Sequence, residues 1–306
     1  MFKRMALVAA SLALVVAACS ETTPATTTST PATTTTSVAA AFPVEVGGVT
    51  IESQPTAIVS GSATHTETLY AIGVGDRVVA TDAFSDHPAA ALETEKFDSF
   101  NISVEAVAAF DPDLVVLAFD PGDVVAGLAT LGIPTLLFDA PADIEAAYTQ
   151  ILDLGAATGA TDEAADLVTR MRDEIDKIVS DLPPLEAPVT YFHELSPSLF
   201  TVSSDSFIGS VYGLLGLDSI VSSDAGPFPQ LSAEFVVESD PTFIFLGDGQ
   251  CCGESPETVA ARPGWGEMSA VQEGNVIVVD EDISSRWGPR LVDFVRAVAA
   301  AVYGSG

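Results

Sequence analysis

The stretch Thr161-Asp162-Glu163-Ala164-Ala165-Asp166-Leu167-Val168-Thr169-Arg170-Met171-Arg172-Asp173-Glu174-Ile175-Asp176-Lys177-Ile178-Val179-Ser180-Asp181-Leu182 decides the fold. Ala164, Val168, Met171, Ile175, Ile178 or Val179, and Leu182 recur at three- and four-residue steps with charges between them. That period predicts one long amphipathic helix. Thr161 is placed as its N-cap, Asp162 and Glu163 suit the positive end of the helix dipole, and Pro183-Pro184 stops it. Such a helix near the middle of a 306-residue chain reads as a rod between two halves.

Both flanks alternate short apolar runs with helical patterns. Before the helix, Ile58 to Ser60, Val78 to Ala80, Leu114 to Phe119 and Thr135 to Phe138 read as strands. Thr64 to Ile72 and Val124 to Leu131 read as helices closed by Gly73 and Gly132. After it come Val189 to Phe192, Phe207 to Leu215, Phe243 to Leu246 and Val276 to Val279. A last helix runs through Val295 to Val302, with Pro289 near its first turn and Gly304 beyond its end. Strands separated by helices imply parallel sheets and an α/β architecture.

The two halves echo one another. Ser103-Val104-Glu105 is followed, seven residues after the glutamate, by Pro112 and the strand from Leu114. Ser232-Ala233-Glu234 is followed, again after seven residues, by Pro241 and the strand from Phe243. The offset is 129 residues at each matched position, and Val107 matches Val236 at the same offset. Each copy therefore presents a serine N-cap and a glutamate in the first turn of a short helix.

The ends and the composition narrow the setting. Lys3 and Arg4 precede an apolar run from Met5 to Ala18, then Val16-Ala17-Ala18-Cys19 closes it, the layout of a secretory signal over residues 1–18. Small residues before Cys19 resemble a bacterial lipobox, in which Cys19 is lipidated and becomes the mature N-terminus; a plain signal peptide with an incidental cysteine is the alternative. Residues 19–42 are rich in Thr, Ala, Pro and Ser and read as a tether. Residues 43–160 and 183–306 form the two lobes and 161–182 the link. The chain has 43 acidic against 11 basic residues, a formal charge of −32, which repels phosphate backbones and argues against nucleic-acid binding. No nucleophile elbow, phosphate loop or metalloprotease helix is present, so an enzyme is not expected.

Taken in order, these pieces resemble the bacterial solute-binding lipoproteins of ABC importers, in the class that carries iron-siderophores and cobalamin. The resemblance covers residues 43 to 306. It rests on Thr64-His65-Thr66-Glu67, Ser85-Asp86-His87-Pro88, Ser103-Val104-Glu105 and Asp111-Pro112-Asp113-Leu114-Val115-Val116 in the first half. In the second it rests on Phe228-Pro229-Gln230-Leu231-Ser232-Ala233-Glu234, Asp240-Pro241 and Arg286-Trp287. It implies two α/β lobes with mainly parallel sheets, joined by one rigid helix, with a ligand cleft between them. It further implies a monomer at the extracytoplasmic face of the cell membrane that hands its ligand to a permease and its ATPase, with no cofactor of its own. Glu105 and Glu234 stand where this family docks on the permease.

The resemblance also places His65, His87 and His193 at the cleft rim, where they could stack on a flat ligand, donate to a chelate oxygen or bind a metal. Phe119 and Phe228 are aromatic faces for a large ligand. Arg286 beside Trp287 suits an anionic or carbonyl-rich one. The alternatives are a haem receptor with a histidine ligand, or a zinc or manganese receptor using His65, His87, His193 and Glu194. Cys251-Cys252 reads as a vicinal disulfide or as two thiols for a soft metal.

Overall fold

The structure, a computed structural model, describes residues 42–304. The signal-like segment, Cys19 and the tether up to residue 41 lie outside the described residues. Among the described residues, no helix is long and apolar enough to cross a membrane.

The described chain opens with a hairpin of β1 (Val44–Val46) and β2 (Val49–Ile51), turned by Gly47-Gly48 with both φ values positive. Two left-handed residues in succession are what a tight two-residue hairpin turn demands. Then follow β3 (Ile58–Ser60), α1 (Ala63–Ala71), β4 (Val78–Asp82), β5 (Glu95–Phe97), α2 (Val104–Ala108), β6 (Leu114–Leu117), α3 (Val124–Thr130) and β7 (Thr135–Leu137). These strands form one parallel sheet in the order β5-β4-β3-β6-β7. Strands β3 and β6 are buried at every position, as a sheet covered on both faces requires.

Two helices follow in sequence, α4 (Ile144–Thr158) and α5 (Thr161–Asp181), separated by Gly159 at φ 74°. The helix expected over 161–182 is α5, and its cap differs from the expectation: Ala160 holds the N-cap position and Thr161 is the first helical residue. Thr161 is drawn inside because the left-handed Gly159 turns the chain one residue earlier than a Thr161 cap would allow. Ala164, Leu167, Val168, Met171 and Ile175 form the buried face of α5. That face packs against α4 on one side and the C-terminal helix on the other. One hydrophobic core cluster therefore runs from the hairpin and the first sheet, beneath α5, into the second half, and each half adds a smaller cluster of its own.

The second half contains β8 (Val189–Glu194), α6 (Phe207–Leu214), β9 (Leu217–Ser219), α7 (Ala233–Ser239), β10 (Phe243–Leu246), α8 (Gly249–Cys252), α9 (Pro256–Ala260), α10 (Ser269–Gln272), β11 (Val276–Val278), α11 (Glu281–Ser285) and α12 (Leu291–Tyr303). Its sheet is parallel, ordered β11-β10-β8-β9. The internal echo is structural. Ser103 caps α2 by accepting from the Ala106 N–H, and Ser232 caps α7 by accepting from the Phe235 N–H. Asp111 and Asp240 both turn the chain with positive φ ahead of the matched prolines.

In each lobe the strand order reverses once, between β3 and β6 and between β8 and β10. Ligands of open parallel sheets bind at the carboxyl ends of the strands beside such a reversal.

Candidate functional site

A cavity of about 290 Å³ lies at the carboxyl edge of the first sheet. Gly61 and Ser62 after β3, Asp82 and Phe84 at the end of β4, Ser99 and Phe100 after β5, and Ala118 and Phe119 after β6 line one side. Glu281, Asp282 and Ser285 of α11, with Arg286 and Trp287, line the other. The reversal between β3 and β6 thus opens directly onto residues of the second half.

Three aromatic rings stand on the rim. Phe84 lies edge-on to Phe100 with centroids 5.8 Å apart, and Phe100 lies 5.3 Å from Phe119. Phe84, Phe100 and Phe119 are 58%, 61% and 36% exposed, an unusual concentration of uncovered apolar surface. The loop carrying Phe84 is held from below by a buried chain of hydroxyls. The Ser85, Thr66 and Ser60 hydroxyl oxygens follow one another at 2.8 Å, and Ser85 also donates to Asp82. Lys96 donates to the Thr81 hydroxyl and to the carbonyls of Ser85 and Ala91. Burial raises the Asp82 carboxyl above its ordinary value, opposed by the Ser85 hydroxyl and the Phe84 N–H.

Of the sequence-derived ligand residues, Phe119, Arg286 and Trp287 line this cavity. The Arg286 guanidinium is already engaged: it meets Glu67 at 2.8 Å, Asp86 at 2.9 Å, Asp282 at 2.5 Å and the Phe84 carbonyl at 3.1 Å. It serves as a tie between the halves and as a brace for the Phe84 loop, not as a free cation for a ligand. Trp287 donates its indole N–H to Gln150 at 2.7 Å.

The histidines correct the expectation most. His65 is buried on α1 beneath Trp287 and Phe138, and burial lowers its imidazole to about 4. His193 is wholly buried; its Nδ1 meets the Tyr212 hydroxyl at 2.7 Å, and burial lowers it to about 3. A Cβ at Gly247 would fall 2.6 Å from His193 Nε2, so that glycine lets the backbone close over the ring. His87 is exposed and borders a separate small hollow with Glu67, Tyr70 and Pro289. The three do not converge: β8 is buried on both faces from Tyr191 to Glu194, which places His193 inside the second half. Glu194, the proposed fourth metal ligand, is instead paired with Arg262 through two bonds of 2.6 and 2.7 Å. Among the described residues, no group of three His, Cys, Asp or Glu side chains is placed to hold a metal ion. Phe228 is 48% exposed in the second half but does not line the cavity.

Glu105 and Glu234 are exposed in the first turns of α2 and α7. Each helix leads by a short turn into the next strand, so its N-terminus lies at the carboxyl edge of its sheet. Cys251 and Cys252 are bonded to each other within α8. The Cys251 N–H donates to Glu281 Oε1 at 2.7 Å, tying that turn to the cavity wall.

Below α8 the Asp248 side chain is buried with neither oxygen bonded. Burial first, then the carboxylates of Glu194 and Glu254, push it up to about 7. A group whose folded value exceeds its unfolded value stabilises below the unfolded value and loses that contribution as pH rises to the folded one. Stability should therefore decline between about pH 4 and pH 7 through Asp248. Asp248→Asn should flatten that decline in urea titrations across the range; an unchanged slope would remove the assignment.

Two parallel-sheet lobes sharing one core, with an aromatic-rimmed cavity where their edges meet, define a two-lobed ligand-binding protein. The chain belongs to the periplasmic binding protein family, whose model matches residues 58–283. It is 30% identical over 276 residues to an uncharacterized ABC transporter substrate-binding lipoprotein, YvrC, of Bacillus subtilis strain 168, covering 86% of each chain. It is 30% identical over 249 residues to a vitamin B12-binding protein of Vibrio cholerae, covering 76% of this chain and 84% of that one. The crystal structure of the periplasmic vitamin B12-binding protein BtuF of Vibrio cholerae superposes with a TM-score of 0.66 at 27% identity, covering 81% of this chain and 96% of that one.

Among the cavity residues that the sequence left unnamed are Phe84, Phe100 and Asp282. Phe84 directly precedes the Ser85-Asp86-His87-Pro88 segment, so its neighbourhood was visible. Nothing local marks Phe100 as exposed rather than core.

Proposed function

We propose that this chain is the extracytoplasmic receptor of an ABC importer, held to the membrane through lipid on Cys19, that captures a corrinoid or an iron-siderophore. The observation that carries the reading is the row of exposed rings Phe84, Phe100 and Phe119 on the cavity between the lobes. Such rings gain most from a large ligand with extended apolar faces, and the vitamin B12-binding relatives favour the corrinoid. At about 290 Å³ the cavity is at the lower limit for a small-molecule site, so a ligand of that size would extend along the rim or part the lobes.

Residues 43–160 and 183–306 act as the two jaws, with 161–182 as the stiff link. Glu105 and Glu234, one on each jaw, offer the permease two charges that fix orientation and favour encounter. The net charge of −32 adds attraction toward a basic docking face.

Titration of the purified chain with cyanocobalamin and with a ferric hydroxamate, followed by tryptophan fluorescence, tests the reading. Saturable binding of one of them is expected, weakened roughly 10- to 100-fold when Phe84, Phe100 and Phe119 are all changed to serine. Glu105→Lys with Glu234→Lys should abolish uptake and leave that affinity unchanged. Absence of binding by both ligand classes, or a triple variant that binds as tightly as the parent, would end it.

A further inference from the structure

We propose that a groove beside Glu234 receives a large apolar side chain of the permease, next to the basic residue that pairs with that glutamate. The proposal rests on the docking role given above to Glu234. The groove encloses about 620 Å³, and Pro197, Leu199, Ala233, Val237 and Trp265 are among its apolar lining. Its charged members are unequal. Arg262 is held by Glu194 at 2.6 Å and Glu254 at 2.8 Å, with its guanidinium 4.5 Å over the Trp265 ring, so its charge is offset. Glu234 and Glu238 are exposed, and neither has an ion-pair partner among the described residues. The surface that fits such a groove combines a cation with an apolar side chain.

Two features indicate that the groove is built. The first is an asymmetry inside the internal echo. At the 129-residue offset, Ala233 matches Val104. A Cβ at Gly127 would fall 2.3 Å from Val104 Cγ2, so in the first lobe the valine fills the contact between α2 and α3. In the second lobe the smaller Ala233 instead forms part of the groove wall. The two docking glutamates are then unlike: one stands on a filled surface, the other beside a socket. Such a difference lets a partner with unlike halves tell the two lobes apart.

The second feature is Leu199, whose φ of 64° lies in the left-handed region. Leucine is disfavoured there, where glycine or asparagine would fit with less strain. Its N–H donates to the Ser196 carbonyl at 2.9 Å, and its own carbonyl accepts from the Leu231 N–H at 3.0 Å. The turn is thus fixed, and the strained residue contributes an apolar side chain to the groove. The half-buried side chain also packs on the core beneath the groove, which anchors this part of the wall from below.

The test uses the transporter whose loss abolishes uptake, purified into nanodiscs, with the ligand-free receptor binding to it. Leu199→Gly relieves the backbone and removes the wall; Ala233→Val carries the first lobe's side chain into the socket. Each should weaken docking about tenfold or more, with cyanocobalamin affinity unchanged. Unchanged docking by both, while Glu234→Lys abolishes it, would overturn the groove and leave the glutamate role standing. Undiminished docking by Glu105→Lys with Glu234→Lys would instead remove the role on which the groove depends. A small molecule that copurifies with the parent chain and is lost from Ala233→Val would also overturn the proposal.

Discussion

Replacing Glu67 by alanine is expected to lower stability by about 3–5 kcal/mol, because it leaves buried guanidinium groups without their main counter-charge. The Glu67 side chain is 1% exposed on α1. It accepts Arg290 Nε at 2.9 Å and Nη2 at 2.7 Å, and Arg286 Nη1 at 2.8 Å. After the substitution Arg286 keeps Asp86 and Asp282, but Arg290 keeps only Asp282 at 3.9 Å. Glu67 belongs to the first lobe, whereas both arginines precede α12, so the loss falls on the seam that joins the halves. At about 2–4 °C per kcal/mol for a chain of this size, the melting temperature should fall by roughly 10 °C. Glu67→Gln retains part of the hydrogen bonding and should fall less. Urea denaturation in which Glu67→Ala lies within about 1 kcal/mol of the parent would show that Asp86 and Asp282 suffice.

The architecture was legible because it is written in periodicity and in composition. The helical period over residues 161–182, the apolar runs at Leu114 and Phe243, and the paired Ser-x-Glu segments each correspond to an observed element. Less visible was α4, whose Ile144, Ala147, Tyr148, Ile151 and Leu154 pattern abuts α5 so closely that one helical region masks the next. The strands Glu95–Phe97 and Leu217–Ser219 are three-residue edges with polar positions, too short to show alternation. For the site, sequence put Phe119 at a strand end and Trp287 in the loop before the final helix, and both line the cavity. It could not separate a buried His193 from a rim histidine, because β8 is covered on both faces and a strand of that kind carries no polar alternation to mark where burial ends. Nor could it foresee that Arg286 is held by Glu67, 219 residues earlier, since a long-range pair leaves no local pattern.

Arg262→Ala should produce the second large loss, about 3–5 kcal/mol at neutral pH, by stranding a buried carboxylate in the other lobe. Glu194 is 0% exposed at the end of β8 and takes both of its bonds from the Arg262 fork. Glu254 also pairs with Arg262, at 2.8 Å, so Arg262 is the counter-charge that two acidic groups share, with the unbonded Asp248 carboxyl beside them. Its removal has a signature that ordinary loss of packing does not. Asp248, pushed up to about 7, gains its proton as pH falls and stops repelling the stranded carboxylate, so the deficit relative to the parent should be smaller at pH 5 than at pH 8. Arg262 also covers the face of the buried Trp265 ring, a contact that alanine removes at every pH. The double variant Glu194→Gln with Arg262→Met separates the two contributions, since it removes both charges while keeping bulk over the ring. Recovery of most of the loss in the double variant assigns the effect to the unpaired carboxylate. A double variant as unstable as Arg262→Ala, with no pH dependence in either, would assign it to the guanidinium's contact with Trp265 and make the ion pair incidental.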